Sequence, residues 1–438
     1  MPDEDQVERY PNNKWFVGYF FSNLAGGLTN PLMTLFVVIY LGLGVFYVGI
    51  ASALASAAAV PALIFWGNLS DRIRKRKPFI LIGFYGAFAS LLLILLVHNI
   101  WAYLAVMMIF QIVVMASVPV STLIIVENST EKAWPGAISK FNGISALGTI
   151  AGLIAGSAMI LLIIGEIPSN LPMFYVLAGA VYAIASLSVS LTVPEPRSNI
   201  PRRKLWKINS IRVFEKVRYF PNAVIHVISK SENGGKPLTA DLKRYLLSTT
   251  FLMFGFQIFF VAFPVFVLER LGASQADIFI LYLANAIGSA VGYRFAGNLS
   301  SRYGDRKMTA IALAIRIILF LAMGIMAFTI TSYVDVWIAV VVYGVLGGLW
   351  SFIGLGQITG VSRLAGKALR GKAIGYYNSL NGVAQIIAGV GAGLIAFYLG
   401  YGPDFIIAAI IVLTGSGLAL RLTAGKRISH AIAPAANP

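Results

Sequence analysis

The sequence predicts an all-α membrane protein whose twelve spanning helices form two six-helix, pseudo-symmetric halves. Three observations support this fold class. First, 58% of the 438 residues are hydrophobic and only 12% are charged, whereas soluble domains carry about 25% charged residues. Second, twelve apolar runs follow one another along the chain. Third, one short basic sequence motif occurs twice, about half a chain apart. A repeated unit of this kind is typical of a duplicated membrane domain.

Each apolar run is long enough for one crossing, because a spanning helix needs about 20 mostly apolar residues. Backbone groups in lipid must be hydrogen-bonded within their own segment, which favours helices. Strand-like alternation is absent, which disfavours a β-barrel. The runs are residues 15–40, 45–67, 78–98, 100–126, 137–164, 171–193, 244–268, 274–296, 308–330, 334–360, 372–399 and 403–424.

The repeated motif is GNLSDRIRKRK at 67–77 and GNLSSRYGDRK at 297–307, an offset of 230 residues. Each copy lies between the second and third runs of its half. The chain therefore divides into a first half, 1–193, a basic connector, 194–243, and a second half with a short tail, 244–438.

Lys and Arg residues set the expected orientation. All of them except Arg270 and Arg316 fall on one face of this arrangement, and cytoplasmic loops carry such an excess. We therefore expect both termini and the connector in the cytoplasm, and the protein in the plasma membrane. The connector interleaves basic and aromatic residues, so we expect it to lie on the anionic inner leaflet of the bilayer. This placement of charge does not indicate nucleic-acid binding.

The two turns resemble those of the major facilitator superfamily of secondary transporters, and the resemblance covers essentially the whole chain. The family pattern has an aspartate that Asp71 supplies and that Ser301 replaces in the second copy. An anion is favoured at a helix N-terminus, and in the family that helix is the eleventh, which here begins near Gly371. The resemblance implies a conformational gate that includes Gly67, Asp71, Arg72, Glu127, Glu195, Arg197, Gly297, Arg302 and Arg370.

Neutral amides and one aromatic side chain are the candidate solute contacts. They fall on the spans that line or flank the central cavity in the family, although hydrogen bonding between helices is the alternative explanation. Such a lining suits a neutral polar or amphipathic organic solute. We expect Arg316, on a peripheral span, either to snorkel to the interface or to form a structural pair, with anion binding as the less favoured alternative. We expect Asp404 to lie at the outer face. The candidate solute contacts are Asn23, Asn30, Gln111, Gln257, Asn285, Trp350, Gln357, Asn378 and Asn381.

These features favour a secondary transporter that moves a small organic solute by alternating access, with export slightly preferred. One alternative is a proton-coupled multidrug antiporter. Another is a solute sensor or a lipid scramblase on the same scaffold. The chain has no cysteine and only three widely separated histidines, and no nucleophile–base set or phosphate loop is visible. We therefore expect no enzymatic activity, no metal and no cofactor, and a monomer.

Overall fold

The computed structural model describes residues 13–73, 75–127, 134–165, 167–193, 238–329 and 332–432. Within these ranges, twelve helices are long and apolar enough to cross a membrane, which confirms the predicted fold class. They are α1 (Phe16–Tyr40), α2 (Val45–Ile73), α3 (Lys77–Leu92), α4 (Ile100–Val114 and Val118–Glu127), α5 (Trp134–Met159), α6 (Leu171–Thr192), α7 (Ala240–Glu269), α8 (Gln275–Tyr303), α9 (Asp305–Met326), α10 (Val334–Gly366), α11 (Leu369–Leu399) and α12 (Tyr401–Ile432).

The second half begins earlier than the sequence predicts. The helix α7 starts at Ala240, so the last residues of the predicted connector, up to 243, are helical. The physical reason is a cap: the Thr239 hydroxyl accepts a hydrogen bond from the backbone N–H of Leu242 at 3.3 Å. This cap satisfies one of the N–H groups that the first helical turn leaves free.

The break in α1 and the junction between α10 and α11 each have a cause in the sequence. In α1 the regular helix Phe16–Thr29 ends before Pro31, and a π-helical turn follows at Phe36–Tyr40. Proline cannot donate a backbone hydrogen bond, which explains the break. The helices α10 and α11 meet at Gly366, whose φ of 65° is a left-handed conformation that glycine adopts readily.

The two halves meet along two seams. One joins α2 to α11, and the other joins α5 to α8. Buried apolar residues from both halves form one large core that continues across these seams. We call the side on which Val193 ends the first half and Leu238 begins the second the connector face. The other side is the opposite face.

Candidate functional site

The α2–α11 seam is tightly packed near the opposite face. Facing positions keep a constant register, with Gly49 against Gly393, Ala53 against Gly389 and Val60 against Gly382. A methyl group on Gly389 would lie 2.9 Å from the backbone nitrogen of Ala53. The absence of side chains lets the two backbones approach this closely. The seam is therefore closed on this side of the protein.

The same seam is open toward the connector face. Continuing the register would place Gly67 opposite Gly375 and Asp71 opposite Gly371. However, a methyl group on Gly371 or Gly375 would meet no atom within 4 Å among the described residues, and the nearest atom to one on Gly67 is Pro119 Cβ, 3.9 Å away in its own half. Contact ends near Pro61, which removes one backbone hydrogen bond from α2. A cleft between the halves therefore opens on the connector face.

The α5–α8 seam shows the same asymmetry. Near the opposite face, Gly156 packs against the ring of Phe279, which also lies 6.0 Å from the Phe174 ring, centroid to centroid. Toward the connector face, Gly297 is exposed, and a methyl group placed on it would meet no described atom within 4 Å. Both seams are therefore closed at one end of the molecule and open at the other.

A polar contact crosses between the halves beside the packed part of the first seam. The Gln257 amide of α7 donates from Nε2 to the Ser52 hydroxyl of α2 at 2.9 Å. The predicted solute residue Gln257 thus makes a contact that holds the opposite face closed.

On α1, the predicted residues Asn23 and Asn30 share a face with Gly26. Asn30 is exposed, and a methyl group on Gly26 would meet no described atom within 4 Å. Asn23 is half-buried and donates from Nδ2 to the Tyr19 carbonyl of its own helix at 2.8 Å. Unoccupied space therefore adjoins this face of α1, which suits a solute contact.

Three other predicted solute contacts have side chains that are at least partly exposed. Gln111 is half-buried on α4, and Trp350 is half-buried on α10, with its ring 6.2 Å from that of Phe256. Asn378 is exposed on the part of α11 that faces the open end of the seam. A solute role for these residues stays a prediction.

The remaining amides are engaged inside the second half. Asn285 Nδ2 donates to the Tyr343 carbonyl at 2.9 Å, and Tyr377 donates its hydroxyl to Gln357 Oε1 at 2.8 Å. Asn381 is buried, and its Oδ1 has no hydrogen-bond partner among the described residues. The contacts of Asn285 and Gln357 match the alternative explanation, in which amides bond helices to one another.

The predicted gate residue Asp71 contacts Arg76, which belongs to the same turn, 67–77. Arg76 donates from Nη1 to Asp71 Oδ1 at 3.4 Å and to Ser70 Oγ at 2.6 Å, and the Asp71 side chain is 66% exposed. The expected contact with the start of α11 is not formed in this structure, because the seam is open at that depth. An exposed pair of this kind contributes little stability.

The second copy of the turn is held differently. Arg363 of α10 donates to Asp305 Oδ2 at 2.9 Å, which ties the start of α9 to its own half. Arg302 is exposed, with its guanidinium carbon 5.3 Å from the centre of the Tyr303 ring, and Arg370 is exposed at the start of α11. No hydrogen bond or ion pair joins either arginine to the described residues of the first half.

Several gate residues fall outside the described part of the chain. Glu195 and Arg197 lie in the range 194–237, and the side chains of Arg72 and Glu127 are not described either. The charge network that the family resemblance implies therefore stays a prediction.

Of the two roles expected for Arg316, the structure shows a structural contact. This side chain does not snorkel: it is fully buried and donates from Nη2 to the Leu346 carbonyl of α10 at 2.6 Å. Its guanidinium carbon lies 4.3 Å from the centre of the Phe256 ring, and an aromatic face attracts a desolvated cation. The available sequence signal was the apolar character of Ala312 and Phe320, which stand four residues before and after Arg316 and so share its face of α9. Both are buried in the structure.

Asp404 is a second buried charged residue. It lies near the opposite face, as expected, but it is fully buried in the first turn of α12. Neither of its carboxylate oxygens has a hydrogen-bond partner among the described residues. Burial without a partner is costly for a charged carboxylate.

This geometry, two six-helix halves around a cleft open on one face, defines the class of membrane proteins to which secondary transporters belong. The sequence model of the Major Facilitator Superfamily matches residues 15–353, and again 245–435. The chain therefore belongs to the major facilitator superfamily. No curated protein matches the chain.

Solved structures of several transporters share the fold. A mutant of the nucleoside transporter NupG has a TM-score of 0.71 at 14% identity, covering 94% of this chain and 99% of its own. A POT family transporter in complex with a thioalcohol-conjugated peptide has 0.68 at 16%, covering 94% and 96%. A bacterial homologue of the human lysosomal transporter Spinster, inward-facing and occupied, has 0.65 at 14%, covering 94% and 95%. At these identities the likeness shows the fold alone.

Proposed function

We propose that this protein is a secondary transporter that carries a small organic solute across the plasma membrane by alternating access. The main support for this proposal is the α2–α11 seam, which is packed near the opposite face and open toward the connector face. Its stripe of small residues continues in register beyond the last contact, to Gly67 on α2 and Gly375 on α11. These small residues would allow close packing of α2 and α11 at the connector face, although the helices are separated there. A second state, closed on the connector face and open on the opposite face, would use this surface.

The connector face would be cytoplasmic, because it carries nearly all Lys and Arg residues. The structure would then represent an inward-facing state, as the structure of the Spinster homologue does. Nucleoside and peptide transporters are among the structural neighbours. Together with the exposed amide Asn30, they favour a neutral or zwitterionic polar solute. Export remains the preferred direction.

Paired cysteine substitutions test the two states directly, because the chain has no native cysteine. Phe46→Cys with Phe397→Cys probes the closed end, where the native rings lie 6.1 Å apart. Gly67→Cys with Gly375→Cys probes the open end. We expect the first pair to cross-link without solute. The second pair should cross-link only in a transport-competent membrane where solute is cycling.

A matched control uses Gly67→Cys with Tyr376→Cys. One residue rotates the helix by about 100°, so this pair should cross-link poorly in every state. If position 67 cross-links to position 376 rather than to position 375 during transport, the register proposed for α2 against α11 is wrong. A pair at Gly67 and Gly375 that never reacts, although solute is taken up by proteoliposomes, would contradict alternating access along this seam. Solute binding without uptake would favour a sensor.

A further inference from the structure

Two aromatic side chains of the second half converge near the middle of the spanning helices. Trp350 lies at the midpoint of α10, which runs from Val334 to Gly366, and Tyr293 lies on the neighbouring helix α8. A methyl group placed on Gly354 would lie 3.7 Å from both Trp350 Cε2 and the Tyr293 hydroxyl oxygen. The two aromatic side chains therefore lie beside the same point of α10, at the depth where proteins of this architecture bind their solutes.

Tyr293 lies on the side of α8 that faces the first half. It stands one turn before Gly297, at the open end of the α5–α8 seam, and about four turns after Phe279, which packs against α5. The exposed apolar residues Val291 and Phe295 lie on the opposite side of the helix, which is available to lipid. Tyr293 is 54% exposed, although it lies about 15 Å before the end of α8. A tyrosine at the membrane interface would lie nearer the helix end, so this ring borders the cleft.

The Trp350 ring is held on one side by packing. The Phe256 ring of α7 lies 6.2 Å away, centroid to centroid, at an angle of 87°, which is a favoured edge-to-face arrangement. The Phe256 ring in turn lies 4.3 Å from the guanidinium carbon of the buried Arg316. Trp350 itself is only half-buried. Its orientation is therefore fixed by its neighbours, while part of its surface stays accessible to a ligand.

The aromatic pair Trp350 and Tyr293 carries no charge that would select an ion. Within one turn of either residue on its own helix, the one charged residue is Arg294, and a step of one residue turns it about 100° away from Tyr293. On the first half, α1 offers the exposed amide of Asn30. A flat ring suits the aromatic pair, because ring stacking contributes more than the buried area alone. A hydrogen-bonding edge suits the amide.

We propose that the solute of this protein is a neutral molecule with a planar aromatic ring. The ring lies against Trp350 and Tyr293, and its polar edge is directed to the amides of the first half. This inference rests on the proposed function, because the ring binds in the cleft between the halves, and it names the class of solute. Trp350 sets the preference for an aromatic ring, and Phe256 acts only by positioning Trp350.

The test uses two matched pairs of neutral probes and the purified full-length protein. Nicotinamide and cyclohexanecarboxamide share an amide group and differ in whether the six-membered ring is aromatic. Adenosine and ribose differ by the purine ring. Thermal unfolding reports binding to the folded protein. We expect each aromatic probe to bind at least tenfold more tightly than its partner, which is the difference that one stacked ring makes. We call this difference the ring preference.

Variants locate the site of the ring preference. Trp350→Leu and Tyr293→Ala should each remove most of it, because they remove a ring and leave the amides in place. The matched controls are Trp337→Leu, an exposed tryptophan of the same helix near the opposite face, and Phe295→Ala on the lipid-facing side of α8. Both should keep the ring preference of the wild type. Trp350→Phe should still bind nicotinamide but lose the saturable change in tryptophan fluorescence that binding causes.

Equal affinities for the aromatic probes and their partners would overturn the proposal. It would also be overturned by a ring preference that survives both Trp350→Leu and Tyr293→Ala, or by a folded protein that neither aromatic probe stabilises. If Trp350→Leu fails to fold, the fluorescence of Trp350→Phe and the comparison of Tyr293→Ala with Phe295→Ala still decide.

Uptake into proteoliposomes separates this proposal from the proposed function. A ring preference in binding without any uptake would contradict transport and support the aromatic site. Uptake of the probes without a ring preference would support transport and overturn the aromatic site.

Discussion

Gln257 of α7 and Ser52 of α2 are joined by a hydrogen bond of 2.9 Å that crosses from one half of the protein to the other. The contact lies beside the packed end of the α2–α11 seam, one residue before Ala53. It forms in the state that is open on the connector face. In a state closed on that face, the opposite end of the seam must separate, and the bond must break.

Ser52→Ala should therefore shift the population away from the present state. A net intramolecular hydrogen bond contributes about 1 kcal/mol, which corresponds to about a fivefold change in the ratio of the two states. The measurement is the cross-linking yield of the Phe46→Cys, Phe397→Cys pair, which should fall. Ser289→Ala is the matched control, because Ser289 donates to the Gly347 carbonyl within one half. A similar fall in that control would mean that the effect is general loosening.

Two glycines on α11 should respond in opposite ways to the same enlargement. A side chain at Gly389 would collide with the α2 backbone near Ala53, whereas one at Gly375 would enter the open end of the cleft. Gly389→Leu should force the opposite face apart, and Gly375→Leu should leave the present state intact and block closure of the connector face. Both variants should lose transport. Cross-linking at the Phe46 and Phe397 positions should fall only in Gly389→Leu, and a fall in both would contradict the seam geometry.

The sequence predicted the architecture well because lipid restricts the chain so strongly. Twelve apolar runs and a repeated turn leave little choice of fold. The spacing of four between Gly389 and Gly393 is also typical of close helix packing, and both glycines pack against α2. The rotation of each helix was harder to predict, because an amide on a cavity wall and an amide between helices look alike in sequence. Asn285, whose amide bonds to the Tyr343 carbonyl, shows this. For the same reason, the sequence left two roles open for Arg316, and the structure shows the buried contact with the Leu346 carbonyl.

The repeated turn should act asymmetrically. When the connector face closes, the register brings Asp71 to Gly371 at the start of α11, where an anion interacts favourably with the helix dipole by up to about 1 kcal/mol. Asp71→Asn should destabilise that closed state by up to about fivefold and slow transport, with little effect on folding. Ser301→Ala should do much less, because among the described residues that hydroxyl bonds to the Asn298 carbonyl of its own helix. Initial transport rates in proteoliposomes test this, and equal losses would refute the asymmetry.

Arg316 should be easier to replace by an apolar residue than by lysine. Methionine removes the buried charge and keeps a long side chain near Phe256, so Arg316→Met should fold with near-native stability. A lysine ammonium is more strongly hydrated and lacks the planar group that reaches the Leu346 carbonyl while stacking on Phe256. We expect Arg316→Lys to be less stable than wild type by about 1–3 kcal/mol. Thermal unfolding gives the order, and a less stable methionine variant would show that the charge itself is required.

Asn30 and Gln111 are the amides that we expect to contact the solute. Asn30 is exposed and Gln111 is half-buried. Once a ligand is found by thermal stabilisation against nucleosides and short peptides, Asn30→Ala and Gln111→Ala should each weaken its binding by about 1–3 kcal/mol, about ten- to hundredfold. Unfolding without ligand should be unchanged. Asn285→Ala is the matched control, since its amide bonds α8 to α10: it should lower stability and leave affinity near wild type. If Asn30→Ala and Gln111→Ala behave as that control does, these amides hold helices together and the solute binds elsewhere.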